Sequence, residues 1–145
     1  MRLATLAVAL LAGACATNAN DHRRIEVDAR SMAEAYDAMV QVLVQRFANL
    51  DPLASSAERH RAVTSWRMDN DPDRLIRSRA TGAIVDQGNG TALVEVRVER
   101  EFSSKKTSLG ELDRESPDWV GKGLVPDTTL EAEALKAITT RLEGK

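Results

Sequence analysis

The chain of 145 residues contains only one cysteine, two histidines and five aromatic residues. A single thiol excludes an internal disulfide bond and the paired thiols of zinc and redox sites. The histidines, His22 and His60, form no HExxH or other metal-ligand spacing. The sequence therefore predicts no metal site and no cofactor, and the core must be built mainly from aliphatic side chains.

The sequence also lacks the motifs that carry common enzymatic reactions. It contains no GxSxG, no phosphate-binding P-loop and no candidate cysteine nucleophile. His60 follows Glu58 in a polar connection, and we interpret it as a solvated loop histidine rather than a general base. We expect a protein that is not an enzyme, and a hydrolytic enzyme is the less supported alternative.

An excess of positive charge is absent as well. The chain carries 20 basic and 22 acidic residues, and removal of residues 1–14, which include Arg2, leaves 19 basic residues and a net charge of −3. The basic residues are interspersed with acidic ones, so no basic patch is predicted that would bind a phosphate backbone. Nucleic acid is therefore not an expected ligand.

No apolar run is long enough to cross a bilayer as a helix. The stretch at residues 3–14 (LATLAVALLAGA) has twelve residues and follows a minimal positive start at Arg2, whereas a spanning helix needs about 20. This pattern is typical of an export signal. The only cysteine, Cys15, comes directly after this run.

The small residues Gly13 and Ala14 before Cys15 resemble the lipobox of bacterial lipoproteins, although Ala12 stands where that family prefers leucine. The resemblance implies a signal peptide over residues 1–14, a cysteine that carries palmitate-type acyl chains, and a tether over residues 15–22. It also implies a cell-envelope location, and Ala16 resembles the pattern of lipoproteins sorted to the outer membrane, facing the periplasm. The alternative is ordinary secretion, because residues 14–16 also form an A-x-A cleavage site.

Hydrophobic periodicity predicts two amphipathic helices in the remainder. Ser31 and Glu34 form a capping box before apolar residues that recur at spacings of three and four as far as Leu50. A second helix is predicted over residues 128–143, opened by a box at Thr128 and ended by Gly144. Both helices have one apolar face for a core.

Alternating residues predict four strands, over residues 24–29, 61–68, 74–86 and 91–102. The last two form a hairpin, and a three-residue loop at 88–90 sets Arg77 opposite Glu101 and Arg79 opposite Glu99. We prefer this register because it pairs opposite charges on one face and small with branched residues on the other.

The element order β-α-β-β-β-α predicts an α+β fold, a two-layer sandwich in which two helices cover one face of a mostly antiparallel four-stranded sheet. Residues 23–145 form a single domain, in which residues 103–127 are a long loop without periodicity. This order resembles, weakly, the small α/β lipoproteins of outer-membrane assembly, of the lipopolysaccharide-translocon or β-barrel-assembly type. The resemblance concerns element order alone and transfers no functional residue.

Two groups of residues are candidates for binding a partner. The first lies in the charge ladder on the open sheet face, and the second lies in the long loop. The candidates are Arg77, Arg79, Arg97, Trp119, Val120 and Leu124. The alternatives are that the ladder is only solvated and that Trp119 folds back to cover a sheet edge or fill the core.

Together these features predict a lipid-anchored, non-catalytic accessory or adaptor protein close to a membrane. The seven residues 16–22 reach about 25 Å when fully extended, so a protein partner is expected at the same membrane. The alternative is a periplasmic carrier that holds a lipid or small ligand between sheet and helices. The small residues Ala80, Gly82, Ala92 and Ala134 at the predicted layer contact argue against such a cavity.

Overall fold

The computed structural model describes residues 24–69 and 71–144, with the side chains of residues 121–126 excepted. The predicted signal peptide, Cys15 and the tether lie outside the described residues, and so does the side chain of Leu124. Within the described residues, neither helix combines the length and apolar character needed to cross a bilayer.

The sheet is antiparallel and consists of six strand segments arranged in four rows. The segments are β1 (Arg24–Asp28), β2 (Arg61–Val63), β3 (Arg67–Asp69), β4 (Leu75–Asp86), β5 (Thr91–Ser103) and β6 (Val120–Pro126). The long strands β4 and β5 form the centre; β1 and β6 pair with β5, and β2 and β3 pair with β4. The predicted α+β class is confirmed, although the strand count differs from the predicted four.

Two helices, α1 (Met32–Arg46) and α2 (Thr128–Glu143), pack on one face of this sheet. The predicted capping boxes are wrong in detail: the Ser31 side chain makes no cap hydrogen bond, and the N-cap of α2 is Asp127, which accepts from the Leu130 backbone N–H at 3.1 Å. Helix α1 ends at Arg46 instead of near Leu50. Gly144 follows the end of α2, as predicted.

The predicted hairpin register is confirmed. Arg77 pairs with Glu101 and Arg79 with Glu99 across β4 and β5. Gly88 and Gly90 in the connecting loop have φ angles of 71° and 90°, which side chains with a Cβ rarely adopt. These glycines therefore fix the turn that sets the register.

The predicted strand over residues 61–68 is interrupted, because Thr64 pairs with β4 through its side chain. Its hydroxyl accepts from the Ala80 N–H at 2.9 Å, and its own N–H donates to the Ala80 carbonyl at 2.9 Å. A hydroxyl thus replaces the backbone carbonyl of a regular ladder. The chain bends at this point, and Trp66 lies between the two segments.

Part of the predicted loop 103–127 is strand β6, which pairs with β5 at Glu99, Arg100 and Phe102. Two glycines and a proline among its seven residues remove the alternation by which a strand is recognised. The pairing is shifted between Arg100 and Phe102, as at a β-bulge. Unpaired groups on the edge of β5, rather than local propensity, explain this strand.

Between β1 and β6, the edge of β5 is completed by the start of α2. The Val98 N–H donates to the fully buried Glu131 carboxylate at 2.9 Å, and the Asp127 N–H donates to the Val98 carbonyl at 3.3 Å. Arg100 of β5 lies 3.1 Å from the Asp127 carboxylate. These contacts fix the helix against the sheet.

The core lies between the helices and the sheet, and the two layers are closest at Gly82. A Cβ on Gly82 would lie 2.5 Å from the Met39 sulfur and 2.9 Å from Cδ1 of Leu43, both on α1. Val94, Val96 and other aliphatic residues fill the same layer. This close approach leaves no room for a lipid between sheet and helices at Gly82.

Candidate functional site

The face of the sheet opposite the helices carries the predicted charge ladder. It is formed by alternate residues of the two central strands, since successive side chains of a strand point to opposite faces. Those of β4 are Arg77, Arg79, Thr81 and Ala83, and those of β5 are Glu95, Arg97, Glu99 and Glu101. Within residues 24–69 and 71–144, no helix packs on this face.

Two of the arginines are held by cross-strand ion pairs. Arg77 contacts the Glu101 carboxylate at 2.6 Å, and Arg79 contacts the Glu99 carboxylate at 2.7 Å. The Glu101 side chain is only 9% exposed, so solvent and salt screen its attraction to Arg77 less than that of a surface pair. The predicted ladder is therefore partly shielded rather than fully solvated.

Both tryptophans of the chain pack against these arginines. The guanidinium carbon of Arg77 lies 4.4 Å from the ring centre of Trp66 and 4.2 Å from that of Trp119, and the corresponding distance from Arg79 to Trp66 is 4.7 Å. Such distances are typical of cation–π contacts. We call Trp66, Arg77, Arg79 and Trp119 the tryptophan–arginine cluster.

The chain leading to Trp119 is tied to the end of β5. Asp118 donates its backbone N–H to the Ser103 hydroxyl at 3.1 Å, and the Lys105 ammonium donates to the Ser116 carbonyl at 2.6 Å. Lys105 also pairs with Asp113 at 3.2 Å. Trp119 thus folds back onto the sheet, but on the open face and half-exposed rather than in the core.

The structure does not bring the loop candidate Val120 into the cluster. Val120 is 55% exposed and pairs with Phe102, whose side chain points away from the face that carries Glu101. Trp66, in contrast, belongs to the cluster although the sequence indicated only a strand residue there. An aromatic residue between two arginine-rich stretches was the available signal, but the bend at Thr64 could not be foreseen.

Arg97 pairs with Thr81, two positions along β4 from Arg79 of the cluster. It lines a depression of about 300 Å³ together with two further arginines, Arg24 and Arg61. Arg24 contacts the Glu95 carboxylate at 2.9 Å. The sequence singled out Arg97 but missed the other two, which come from separate strands.

His60 is half-buried rather than solvated, which corrects the prediction. Its ring packs edge-to-face on Tyr36 with centres 5.7 Å apart, and its carbonyl accepts from the Ile84 N–H at 3.0 Å. Burial raises the pKa of the Tyr36 hydroxyl above its ordinary value. These contacts give His60 a structural role in a turn. In the part of the chain that the structure describes, no three histidine, cysteine or carboxylate side chains are grouped to hold a metal ion.

No protein-family model and no curated protein matches the chain. Among solved structures, it is weakly similar to a DUF4468 family protein from Bacteroides ovatus, with 15% sequence identity and a TM-score of 0.28 over 86% of this chain and 82% of that chain. A likeness of this size establishes neither a family nor a function.

Proposed function

We propose that the protein is a lipid-anchored, non-catalytic accessory or adaptor protein of the cell envelope that binds a protein partner through the tryptophan–arginine cluster. The observation that carries the proposal is the pair of half-exposed tryptophans on Arg77. Tryptophan and arginine are the residue types most enriched at the energetic centres of protein interfaces.

The cluster is arranged before any partner binds. The Arg77 guanidinium is held by an ion pair with Glu101 and by contacts with both indole rings. Less side-chain entropy is therefore lost when a partner contacts the cluster. Met68, which pairs with Arg77 and is 52% exposed, extends the apolar surface next to it.

The anchoring part of the proposal is supported by the sequence around Cys15. A thioether-linked diacylglycerol buries two acyl chains at about 0.8 kcal/mol per methylene, so attachment would be effectively permanent. The short tether keeps the domain near the membrane, and the partner is therefore proposed at the same membrane, the outer membrane on its periplasmic side. The absence of a catalytic motif in the sequence supports a function without catalysis.

Site-specific photo-crosslinking on the membrane-bound protein tests partner binding. A photoreactive residue at Met68 is expected to give one major adduct, because Met68 adjoins the cluster. The same residue at Leu53, which is 97% exposed but lies outside the open face, is the matched control and should not give that adduct.

A variant of the cluster makes this test specific. Trp119→Ala is expected to remove most of the Met68 adduct while the domain stays folded, since the indole is only half-buried. An adduct that forms equally from Leu53, or that survives Trp119→Ala unchanged, would contradict partner binding at the cluster. Recovery of soluble partners alone would contradict a partner at the membrane.

A further inference from the structure

The depression at the hairpin end of the open face is built from four residues that pair side by side, one from each of β1, β5, β4 and β2. Arg24 pairs with Glu95, Glu95 with Ala83, and Ala83 with Arg61. Adjacent strands are about 4.8 Å apart, so the backbones of Arg24 and Arg61 are separated by about 14 Å. The small side chain of Ala83 lies between them and forms a floor.

Arg97 lies two positions from Glu95 on β5 and pairs with Thr81 of β4. The depression is thus surrounded by three long guanidinium side chains and has short side chains at its centre, with a volume of about 300 Å³. Three arginines and one glutamate give its lining a net charge of +2. This charge is open to solvent, because Arg61 and Arg97 are exposed.

These arginines differ from those of the tryptophan–arginine cluster in what their donors contact. Arg77 and Arg79 each have a glutamate partner, and Arg24 shares Glu95. Within the described residues, the guanidinium groups of Arg61 and Arg97 have neither an ion pair nor a hydrogen bond. Each retains five N–H donors in a fork that matches phosphate or carboxylate oxygens.

We infer that this depression binds a phosphate group. A phosphate carries up to two negative charges, which equals the net charge of the lining. Its several oxygens accept forked hydrogen bonds from more than one arginine, whereas a carboxylate has only two oxygens. The phosphate belongs either to an anionic lipid headgroup or to a soluble compound.

The lipid source rests on the proposed membrane anchoring. Arg24 is nine positions after Cys15, so the chain allows at most about 30 Å between the acylated residue and the depression. The headgroup phosphates around the anchor are therefore within reach of the depression. The phosphate chemistry itself depends only on the arginines and does not require an anchor.

The first arm of the test measures inorganic phosphate. The full chain carrying Cys15→Ser, which cannot be acylated, is titrated with phosphate at constant ionic strength while the side-chain N–H resonances of arginine are followed by NMR. The resonances of Arg61 and Arg97 are expected to shift, and those of Arg59 and Arg114 to stay unchanged. Absence of a selective shift would overturn the inference.

The second arm compares vesicles of phosphatidylglycerol and phosphatidylcholine with vesicles of phosphatidylcholine alone. The variant Arg61→Gln/Arg97→Gln is compared with the charge-matched control Arg59→Gln/Arg114→Gln, which alters exposed arginines outside the depression. Each arginine at an anionic surface contributes about fivefold in affinity. The affinity of Arg61→Gln/Arg97→Gln for vesicles with phosphatidylglycerol should be roughly 25-fold lower, and the control should bind them as the parent protein does. Residues 3–14 are the same in all three proteins, so their contribution cancels in this comparison.

The outcomes separate the two sources. Selective shifts of Arg61 and Arg97 in the first arm, together with selective loss of vesicle binding in the second, support a lipid phosphate. Selective binding of inorganic phosphate without preference for phosphatidylglycerol supports a soluble one. Equal losses in pocket and control variants would indicate a general charge effect and overturn the site. Failure of fatty-acid labelling at Cys15 would overturn the anchor while leaving the inorganic-phosphate arm intact.

Discussion

The close approach of α1 to the sheet at Gly82 gives a quantitative test of the fold. In Gly82→Ala, the new methyl group would lie 2.5 Å from the Met39 sulfur and 2.9 Å from Cδ1 of Leu43. Overpacking of this kind costs about 1 to 3 kcal/mol. The lower entropy of the unfolded alanine chain offsets about 0.5 to 1 kcal/mol, so a net loss of between about 0 and 2.5 kcal/mol is expected.

A double-mutant cycle identifies the cause of this loss. Met39→Ala alone should cost about 2 to 5 kcal/mol, because it empties a fully buried site. In the double variant, the methyl group introduced by Gly82→Ala no longer meets the sulfur, although Leu43 still restrains it. The double variant should therefore be about 1 kcal/mol more stable than the sum of the single effects.

Urea unfolding of the purified protein, followed by far-ultraviolet circular dichroism, measures these free energies. Val44→Ala combined with Gly82→Ala is the control, because Val44 lies on α1 but is 38% exposed, and its effect should be additive. A stabilising Gly82→Ala, or additivity with Met39→Ala, would refute the close packing of α1 on Gly82.

Three further changes probe other parts of the molecule. Cys15→Ser should abolish metabolic labelling with a radioactive fatty acid and leave the thermal midpoint of the domain unchanged; an unlabelled wild type would refute the anchor. Glu131→Leu should cost about 1 to 3 kcal/mol in urea unfolding, because the buried Val98 N–H loses its acceptor, whereas Glu131→Gln keeps an acceptor oxygen and should cost less. Arg30→Gln should raise the pKa of Asp28 from about 2 towards 3.8 in an NMR titration, because the Arg30 side-chain hydrogen bond is the largest cause of the lowered pKa. Since that pKa is lowered on folding, Asp28 stabilises the fold above about pH 4 and loses this effect as the pH falls towards 2; a midpoint unmoved by Arg30→Gln would contradict this.

The hairpin could be predicted because its information is local. Opposite charges at Arg77 and Glu101 lie on strands joined by a three-residue loop, and a shift by one residue would separate them. The small residue Gly82 likewise indicated a close contact between the layers, and the structure places α1 against it. The hairpin thus follows from residues close to one another along the chain, and the layer contact follows from the absence of a side chain at Gly82.

The features that could not be predicted depend on distant parts of the chain. The break at Thr64 requires a side-chain hydrogen bond to Ala80, and β6 forms because the edge of β5 is available. The arginine depression joins β1, β2 and β5, whose proximity depends on the strand order. No local pattern at Arg24 or Arg61 indicates that order.

The open face therefore has two halves with different electrostatics. At one end, Arg77 is neutralised by Glu101 and covered by indole rings; at the other, Arg61 and Arg97 leave their charge uncompensated. Arg61 pairs with Ala83, which lies six positions along β4 from Arg77, and this corresponds to about 20 Å. At that separation, about two Debye lengths at 0.1 M salt, the charge of Arg61 has little effect on Arg77, whereas Arg97 pairs with Thr81, two positions from Arg79. Arg61→Gln should therefore leave photo-crosslinking from Met68 unchanged, and loss of that adduct would indicate that one partner covers both halves.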